Sequence, residues 1–512
     1  MSDLVETTES ESWGFLLSKL RESGASGPQD EQSDILHSLL QHSLQLENRQ
    51  SLTQDDVMMI VKLLSDWSEI YSSKSTPETP PKPGDPALLS LIKLLLNSCA
   101  GVPCNQHYLL EAGALAEISK LLLQFVTSHQ QMPISTGDHR DVVVTATLQL
   151  LGNICVGFRD GRDKVWRKFF PQTLRSILRS FGQVEMVCMV LHNCTCTEDA
   201  KNRTREMVTS EGGLAILSHI VGAHEEKNCE WRSIFLRSFV DQMPLSELHR
   251  VLIPFQYGLW TALLETACQL MNHDQQIEVG GGKEAWPQWE EGECVYLVEM
   301  WRGEVGKVMS DQAAILIECF NTSSTEQLSS TAKMNVGVLT SVLKLLCCLS
   351  IRERYLHLLQ TKTQTLDSAI ELLRQLSTLD GSNNSTRHLS SLKESRKTTE
   401  IRKEGPLFGM KRDLLQFIGS LLYHCPHMQE RIRMLEAIPL ILNQCHLDHG
   451  NPYILQWAVL TIRNMCEDNP ANQEMIAKLE TRGVAEATAA QFRPGCEVEV
   501  TQNGRLRVKP KT

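Results

Sequence analysis

The stretch that decides the fold is Leu91–Leu122, LIKLLLNSCAGVPCNQHYLLEAGALAEISKLL. Its apolar residues recur at steps of three and four, which is the period of an amphipathic helix. The first apolar run ends near Asn97, and a polar turn with a second asparagine, Asn105, follows it. A shorter helical pattern then leads to Gly113 and the next apolar run. The stretch therefore predicts a long helix, a turn, a short helix and a glycine-marked turn.

The same pattern returns twice further along the chain. The two copies are Met186–Ile220, MVCMVLHNCTCTEDAKNRTREMVTSEGGLAILSHI, and Trp457–Val484, WAVLTIRNMCEDNPANQEMIAKLETRGV. Each copy has a pair of asparagines eight or nine residues apart, as Asn97 and Asn105 are. Weaker copies begin at Leu148 and Leu414, and 338–376 is a further candidate without the asparagine. Helical units of about 40 residues that repeat in this way are typical of armadillo and related solenoids.

The repeats predict an all-α fold, an armadillo-type α-solenoid wound as a right-handed superhelix and interrupted by long loop insertions. A short C-terminal β-hairpin is also predicted, because Asn503-Gly504 is a strong type I′ turn signal. The register implied by a two-residue turn there mixes charged and apolar residues on both faces. We therefore expect the hairpin to be marginal.

Composition narrows the class of protein. Among 512 residues, 50 are basic and 61 acidic, which gives a net charge of −11. A general nucleic-acid binder or a binder of anionic membranes needs a dominant basic field, so neither is expected. The first 12 residues are acidic and rich in Ser and Thr, without an apolar run. We therefore expect a cytoplasmic protein with no membrane insertion, whose 16 cysteines are free thiols that fill a reduced interior.

The chain divides by composition into six segments. Residues 1–86 carry N-terminal helices and a Pro-rich linker, and 87–240 carry the first armadillo repeats. Residues 241–378 form a middle helical region with a Gly/Trp-rich insertion at 280–306, which fits no helix length well. A flexible Ser-rich loop is predicted at 379–404, followed by C-terminal armadillo repeats at 405–492 and the hairpin tail at 493–512.

The asparagine series is the candidate binding site: Asn97, Asn153, Asn193 and Asn464. An asparagine amide offers both a donor and an acceptor, so a row of them could clamp the backbone of an extended peptide. The structural alternative is that each asparagine bonds local carbonyls near a helix C-terminus. Peptide-binding armadillo proteins that import nuclear cargo place a tryptophan one turn before each asparagine. The four positions here hold Lys93, Gln149, Met189 and Leu460, which favours the structural alternative.

Other motifs are weaker. Ser10, Ser12, Thr76 and Thr79 are candidate phosphorylation sites, the first two among acidic residues and the last two before prolines. A His/Cys-rich segment at 424–449 lacks the close ligand pairs that zinc sites use. Nucleophile and phosphate-loop motifs are missing from the sequence as well. We therefore expect no metal, no cofactor and no enzymatic activity.

Two blocks resemble the ataxin-10 family. The C-terminal block consists of GPLFGMKRDLLQFIGSLLYHCPHMQE from Gly405 and LEAIPLILNQCHLDHGNPYILQWAVLTIRNMCEDNPANQEMIAKLE from Leu435. The N-terminal block contains LLLNSCAGVPCNQ from Leu94 and LQLLGNICVG from Leu148. The resemblance implies a non-enzymatic armadillo scaffold that acts in cytokinesis, neurite outgrowth and neuronal survival.

The same resemblance implies partners and places. The partners would be other proteins, signalling and glycosylating enzymes among them, and a second copy of the chain. The location would be the perinuclear cytoplasm, the centrosome, the basal body or the midbody. The alternative, an armadillo transport adaptor that grips basic peptides, would need an acidic groove along the asparagine row.

Overall fold

The structure is a computed structural model, and it consists mostly of helices. It describes residues 13–23, 29–73, 86–131, 139–196, 199–223, 230–252, 257–277, 291–310, 314–322, 325–394, 405–446, 448, 450–479, 496–500 and 506–510. The chain forms two compact units, Met1–Leu252 and Ile253–Thr512.

The first unit is built from short and medium helices. Their bounds are α1 Trp13–Ser23, α2 Gln29–Ser43, α3 Leu46–Gln50, α4 Gln54–Ser73, α5 Pro86–Cys99, α6 Pro103–Glu111, α7 Ala114–Gln131, α8 His139–Cys155, α9 Arg159–Phe169, α10 Gln172–Phe181, α11 Val184–Thr195, α12 Ala200–Thr209, α13 Glu211–Gly222, α14 Glu230–Gln242 and α15 Leu245–Leu252.

These helices stack in rows, each helix on the one three places earlier. One row runs α2, α5, α8, α11, α14, and a second runs α4, α7, α10, α13. Helices α6 and α9, and then α12 and α15, form a third set of contacts. Each repeat therefore contributes three helices. The helices of the first row carry their leucines on buried faces, such as Leu91 and Leu95 of α5. Each buried leucine contributes roughly 1.5–3 kcal/mol relative to exposure, so stacking is the main source of stability.

The second unit repeats the arrangement. Its helices are α16 Tyr257–Ile277, α17 Glu291–Ser310, α18 Ala314–Asn321, α19 Ser330–Ser350, α20 Glu353–Gln360, α21 Thr363–Glu394, α22 Met410–Leu422, α23 Pro426–Met434, α24 Ile438–Leu442, α25 Ile454–Cys466 and α26 Pro470–Ala477. A 3₁₀ turn lies at Thr325–Gln327. The long helices α16, α19, α22 and α25 stack in order, and α23 packs on α26.

One helix of the second unit, α19, is long and apolar enough to cross a membrane by length and composition alone. Of its most apolar window, 72% is buried inside the unit, where α16, α17 and α22 pack on it. The core helix of a folded domain passes the same test. Burial of this kind is what the centre of a helical stack requires.

Two sequence predictions about the second unit are wrong in part. The Gly/Trp-rich insertion at 280–306 is predicted to fit no helix, yet residues 291–306 lie within α17, whereas residues 280–290 lie outside the described residues. Cys294, Leu297, Trp301 and Val305 are buried at helical spacing. A Cβ atom added at any glycine of α17 would have no atom within 4 Å. Each glycine therefore destabilises the helix only through its low helix propensity, by about 1 kcal/mol, and the burial of the apolar side chains outweighs this cost.

The Ser-rich loop predicted at 379–404 is also wrong in its first part, because α21 continues to Glu394. The apolar residues of α21, such as Leu366 and Leu373, are buried before that point. Once such a helix has nucleated, each added residue gains a hydrogen bond without a new nucleation cost. A polar sequence can therefore extend it. Residues 395–404 lie outside the described residues.

Two antiparallel strands lie near the C-terminus, β1 Cys496–Val500 and β2 Leu506–Pro510. The turn residues Asn503 and Gly504 lie outside the described residues. The strands pair Val500 with Leu506 and Val498 with Val508. This register is shifted by one residue from the one that a two-residue Asn-Gly turn implies. Apolar residues therefore oppose apolar residues, and the expected mixture of apolar and charged partners does not occur.

Candidate functional site: the asparagine rows

The four asparagines of the predicted ladder occupy similar places in their helices. Asn97 in α5, Asn153 in α8 and Asn193 in α11 lie in the last turn of the helix and are half-buried. Asn464 lies near the end of α25 and is 6% exposed. The sequence spacing therefore located a repeated structural position.

Three of these side chains bond the neighbouring repeat. In each, Nδ2 donates to a main-chain carbonyl of the preceding long helix. The bonds are Asn153 to Leu96 O at 3.1 Å, Asn193 to Gly152 O at 3.2 Å and Asn464 to Gly419 O at 2.9 Å. Asn97 differs, because its Nδ2 donates to the Ser43 hydroxyl of α2 at 3.0 Å.

The acceptors of these bonds explain the choice of asparagine. Leu96, Gly152 and Gly419 lie in the last turns of their helices, where carbonyls lack a partner within the helix. A buried carbonyl without a partner costs about 1–3 kcal/mol. The asparagine amide therefore supplies a donor where one repeat meets the next. A bound peptide would have to use the Oδ1 atom and the second N–H of each amide, and peptide clamping stays a prediction.

A second row, which the sequence analysis did not identify, reaches forward. Its members donate to two carbonyls at the end of the next long helix. These bonds are Arg49 to Asn97 O and Ala100 O at 3.4 and 2.8 Å, Gln106 to Asn153 O and Val156 O at 2.7 and 2.8 Å, Gln360 to Leu421 O and Tyr423 O at 3.2 and 2.8 Å, and Gln429 to Asn464 O and Glu467 O at 2.8 and 3.2 Å. A glutamine that follows the second position of the asparagine pair, as Gln106 follows Asn105, is the signal that could have located this row.

The second asparagines of the pairs also have structural roles. Nδ2 of Asn105 donates to Ser98 O of its own repeat at 2.8 Å and to Arg49 O at 2.7 Å. Asn472 is buried and makes the corresponding bonds to Met465 O and Gln429 O. In the repeat that begins at Met186, however, the predicted second asparagine, Asn202, is exposed. The neighbouring Arg203 takes its role and donates to Cys194 O at 2.6 Å.

Two other side chains of α11, those of His192 and Glu185, contact α14. His192 lies beside the Trp231 ring at 5.9 Å between centroids, and burial lowers the pKa of His192, so the imidazole is neutral at pH 7. The Glu185 carboxylate accepts hydrogen bonds from the backbone N–H groups of Trp231 and Arg232 at 2.9 and 3.1 Å. That carboxylate therefore caps the N-terminus of α14.

The remaining predicted features are located as follows. Ser10, Ser12, Thr76 and Thr79 lie outside the described residues. Within the described part of the chain, no three His, Cys, Asp or Glu side chains are placed to hold a metal ion.

Comparisons with known proteins place this architecture in context. A family model described as "Spinocerebellar ataxia type 10 protein domain" matches residues 410–509. Ataxin-10 of Xenopus tropicalis is 26% identical over 429 residues, which cover 81% of this chain and 79% of that protein. Ataxin-10 of Bos taurus is 27% identical over 413 residues, 80% of this chain and 78% of that protein. An ataxin-10 homolog of Dictyostelium discoideum is 44% identical over 101 residues, 20% of this chain and 16% of its own length.

The stacked three-helix repeats and their amide-to-carbonyl bonds define a helical-repeat protein, the class predicted from the sequence. Within that class, the matches confirm the resemblance to the ataxin-10 family. The chain is similar to ataxin-10 over about 80% of its length.

Proposed function

We propose that this chain is a non-enzymatic scaffold that binds other proteins through an armadillo-type superhelical stack. The observation that carries the proposal is the relation to ataxin-10 across most of both chains. The bonds between repeats support it, because each of them ties one long helix to a main-chain carbonyl of the preceding one. A stack tied in this way presents an extended, semi-rigid surface, which is the usual function of helical-repeat proteins.

The finer proposal rests on the resemblance. The scaffold would act in the regulation of cytokinesis and in neurite outgrowth and neuronal survival signalling. Its partners would be signalling and glycosylating enzymes and a second copy of the chain. Its location would be the perinuclear cytoplasm, with the centrosome, basal body or midbody as further places.

Proximity labelling of the full chain, in dividing cells and in differentiating neurons, tests this proposal. We expect the labelled proteins to be enriched in centrosome and midbody proteins in dividing cells, and in signalling enzymes in differentiating neurons. A labelling pattern equal to that of a diffusing control protein in both cell types would contradict it.

The contribution of the asparagine row needs a matched pair of variants. Asn193→Ala removes both the bond to Gly152 and the Oδ1 atom of a half-buried side chain, whereas Asn443→Ala changes an exposed asparagine outside the row. If the row clamps peptides, Asn193→Ala alone loses labelled partners. If both variants keep every partner and only Asn193→Ala melts earlier, the row is structural.

A further inference from the structure

The last long helix of the second unit presents an apolar stripe on one side. Leu455, Val459, Ile462 and Cys466 recur at helical spacing along α25. Val459 is 56% exposed, and the other three are half-buried. In the described part of the unit, the helices that pack closely on α25 are α22, α24 and α26.

In the preceding repeat, the residues that correspond to the stripe are covered by the next long helix. Asn464 corresponds to Ser420, so the stripe on α25 corresponds to Lys411, Leu415, Ile418 and Leu422 on α22, all of which are buried. α25 packs on α22 along that side, and the Thr461 hydroxyl of α25 donates to Leu415 O at 2.9 Å. An equivalent of α25 would therefore be needed to cover the stripe on α25 itself.

The forward-reaching glutamines identify the same end. Gln429 donates to Asn464 O and Glu467 O of the following repeat. Its counterpart one repeat later, Gln473, is exposed and donates instead to Cys466 O of its own repeat at 2.8 Å. The stack of described helices therefore ends at α25 and α26.

The stripe is unsuited to another repeat helix. α25 approaches α22 closely at Gly419, where a Cβ atom would lie 2.7 Å from the Thr461 hydroxyl. The counterpart of Gly419 on α25 is Arg463, whose side chain is 71% exposed. A further helix could not approach α25 as closely as α25 approaches α22. A flatter element, which lies over the stripe beside Arg463, fits this surface better.

The strands β1 and β2 form such an element. Their register pairs Val498 with Val508 and Val500 with Leu506, and these pairs alternate with Glu497–Lys509 and Glu499–Arg507. Because successive residues of a strand belong to opposite faces, the ribbon has one apolar and one charged face. An isolated two-stranded ribbon is at best marginally stable in water, so its apolar face needs a surface to pack on.

The chain length permits this contact. Residues 480–495 join α26 to β1 and can span up to ~50 Å at ~3.3 Å per residue. α25 has 13 residues and is ~20 Å long at 1.5 Å per residue. A single family model, at 410–509, also includes α22 to α26 together with β1 and β2 up to Lys509.

We propose that the β1–β2 ribbon docks its apolar face on the Leu455–Val459–Ile462–Cys466 stripe of the same chain and caps the C-terminal end of the stack. Terminal repeats of solenoids need a cover of this kind, because the apolar face that neighbours bury elsewhere is otherwise left in water. The inference concerns how the stack ends and is independent of the proposed scaffold function.

The test uses four full-length variants: Val459→Lys, Leu506→Lys, the double variant, and Val156→Lys as control. Val156 is 53% exposed and lies in the first unit, so it matches Val459 in residue type and exposure. Amide hydrogen exchange is measured by mass spectrometry, and the mass in solution by light scattering. The proposal predicts that Val459→Lys accelerates exchange several-fold in 496–510, and that Leu506→Lys does the same in α25. The double variant should add nothing further, and Val156→Lys should change neither segment.

Two results would overturn the proposal. If exchange in 496–510 is the same in the wild type and Val459→Lys, the ribbon does not dock on the stripe. If the protection of α25 depends on protein concentration and disappears together with a dimer mass in Val459→Lys, a second copy covers the stripe. Because Val459 and Val156 are exposed, neither lysine disturbs a packed core, so both variants are expected to fold.

Discussion

Replacing Asn464 by alanine tests the bonds between repeats most directly. The substitution removes the 2.9 Å bond to Gly419 O and leaves that carbonyl in an interface where Asn464 itself is only 6% exposed. A buried carbonyl without its partner costs about 1–3 kcal/mol, so we expect the second unit to lose about 2 kcal/mol of unfolding free energy. For units of this size, 1 kcal/mol corresponds to a shift of about 2–4 °C, which predicts a Tm lower by about 4–8 °C.

Scanning calorimetry and urea denaturation followed by circular dichroism measure this loss. Asn464→Asp preserves the shape of the side chain but replaces the donor by an acceptor, so its loss should be at least as large. Asn443→Ala, at an exposed position after α24, should change stability by less than about 0.5 kcal/mol. A Tm for Asn464→Ala within 1 °C of the Asn443→Ala control, on the order of assay error, would refute the structural role of the bond.

Two further predictions concern the same unit. In Gly419→Ala the new Cβ lies 2.7 Å from the Thr461 hydroxyl, so we expect urea denaturation to show an unfolding free energy lower by about 1–3 kcal/mol. Gly337→Ala is the control: its nearest atom lies at 3.8 Å, and the better helix propensity of alanine should raise the unfolding free energy by up to about 1 kcal/mol. Equal effects of the two substitutions would contradict the close approach of α25 to α22. Burial raises the pKa of Asp448, but the Lys411 ammonium at 2.8 Å outweighs it and holds the pKa below the ordinary value. Stability from this pair is therefore present above about pH 4 and is lost as pH falls through the folded pKa, so Asp448→Asn should flatten the acid limb of a pH–stability curve; parallel curves for wild type and variant would show that the pair contributes nothing.

Local sequence patterns predict the order and type of several helices correctly. The spacing of Asn97 and Asn105 predicted a long helix followed by a short one, and α5 and α6 have that form. The same spacing at Asn464 and Asn472 located α25 and α26. Helical period, polar turns and asparagines near helix ends are features of neighbouring residues, which a single sequence displays directly.

The hydrogen-bond acceptors of those asparagines could not be predicted from the sequence. The acceptor of Asn193 is the main-chain carbonyl of Gly152, and any residue type has such a carbonyl. Gln106 donates to Asn153 O and Val156 O at the C-terminal end of α8, which belongs to the next repeat. No pattern in the residues around Gln106 indicates these acceptors. The sequence pattern also does not show that Arg203 makes the bond that an asparagine makes in the other repeats. Arg203 can do so because its long side chain reaches the same kind of carbonyl, Cys194 O, from a neighbouring position.

The two wrong predictions have a common cause. The glycines of 291–306 and the serines of 379–394 disfavour helices as isolated residues, yet both segments continue or pack on helices that tertiary contacts stabilise. In the tail, the turn signal was read as a two-residue loop. A shift by one residue brings Val498 opposite Val508, and that pairing separates apolar from charged residues.

The bonds that the asparagines Asn153, Asn193 and Asn464 make between repeats join one helix end to another, and the connections between helices take no part in these three bonds. Asn153 and Asn193 make the same kind of bond, although residues 132–138 separate α7 from α8 while only Gly182 and Gln183 separate α10 from α11. The length of a connection is therefore free to change without altering how repeats fit together. Insertions and deletions at such connections would give related chains different surfaces on one unchanged framework, and sequence divergence should concentrate there.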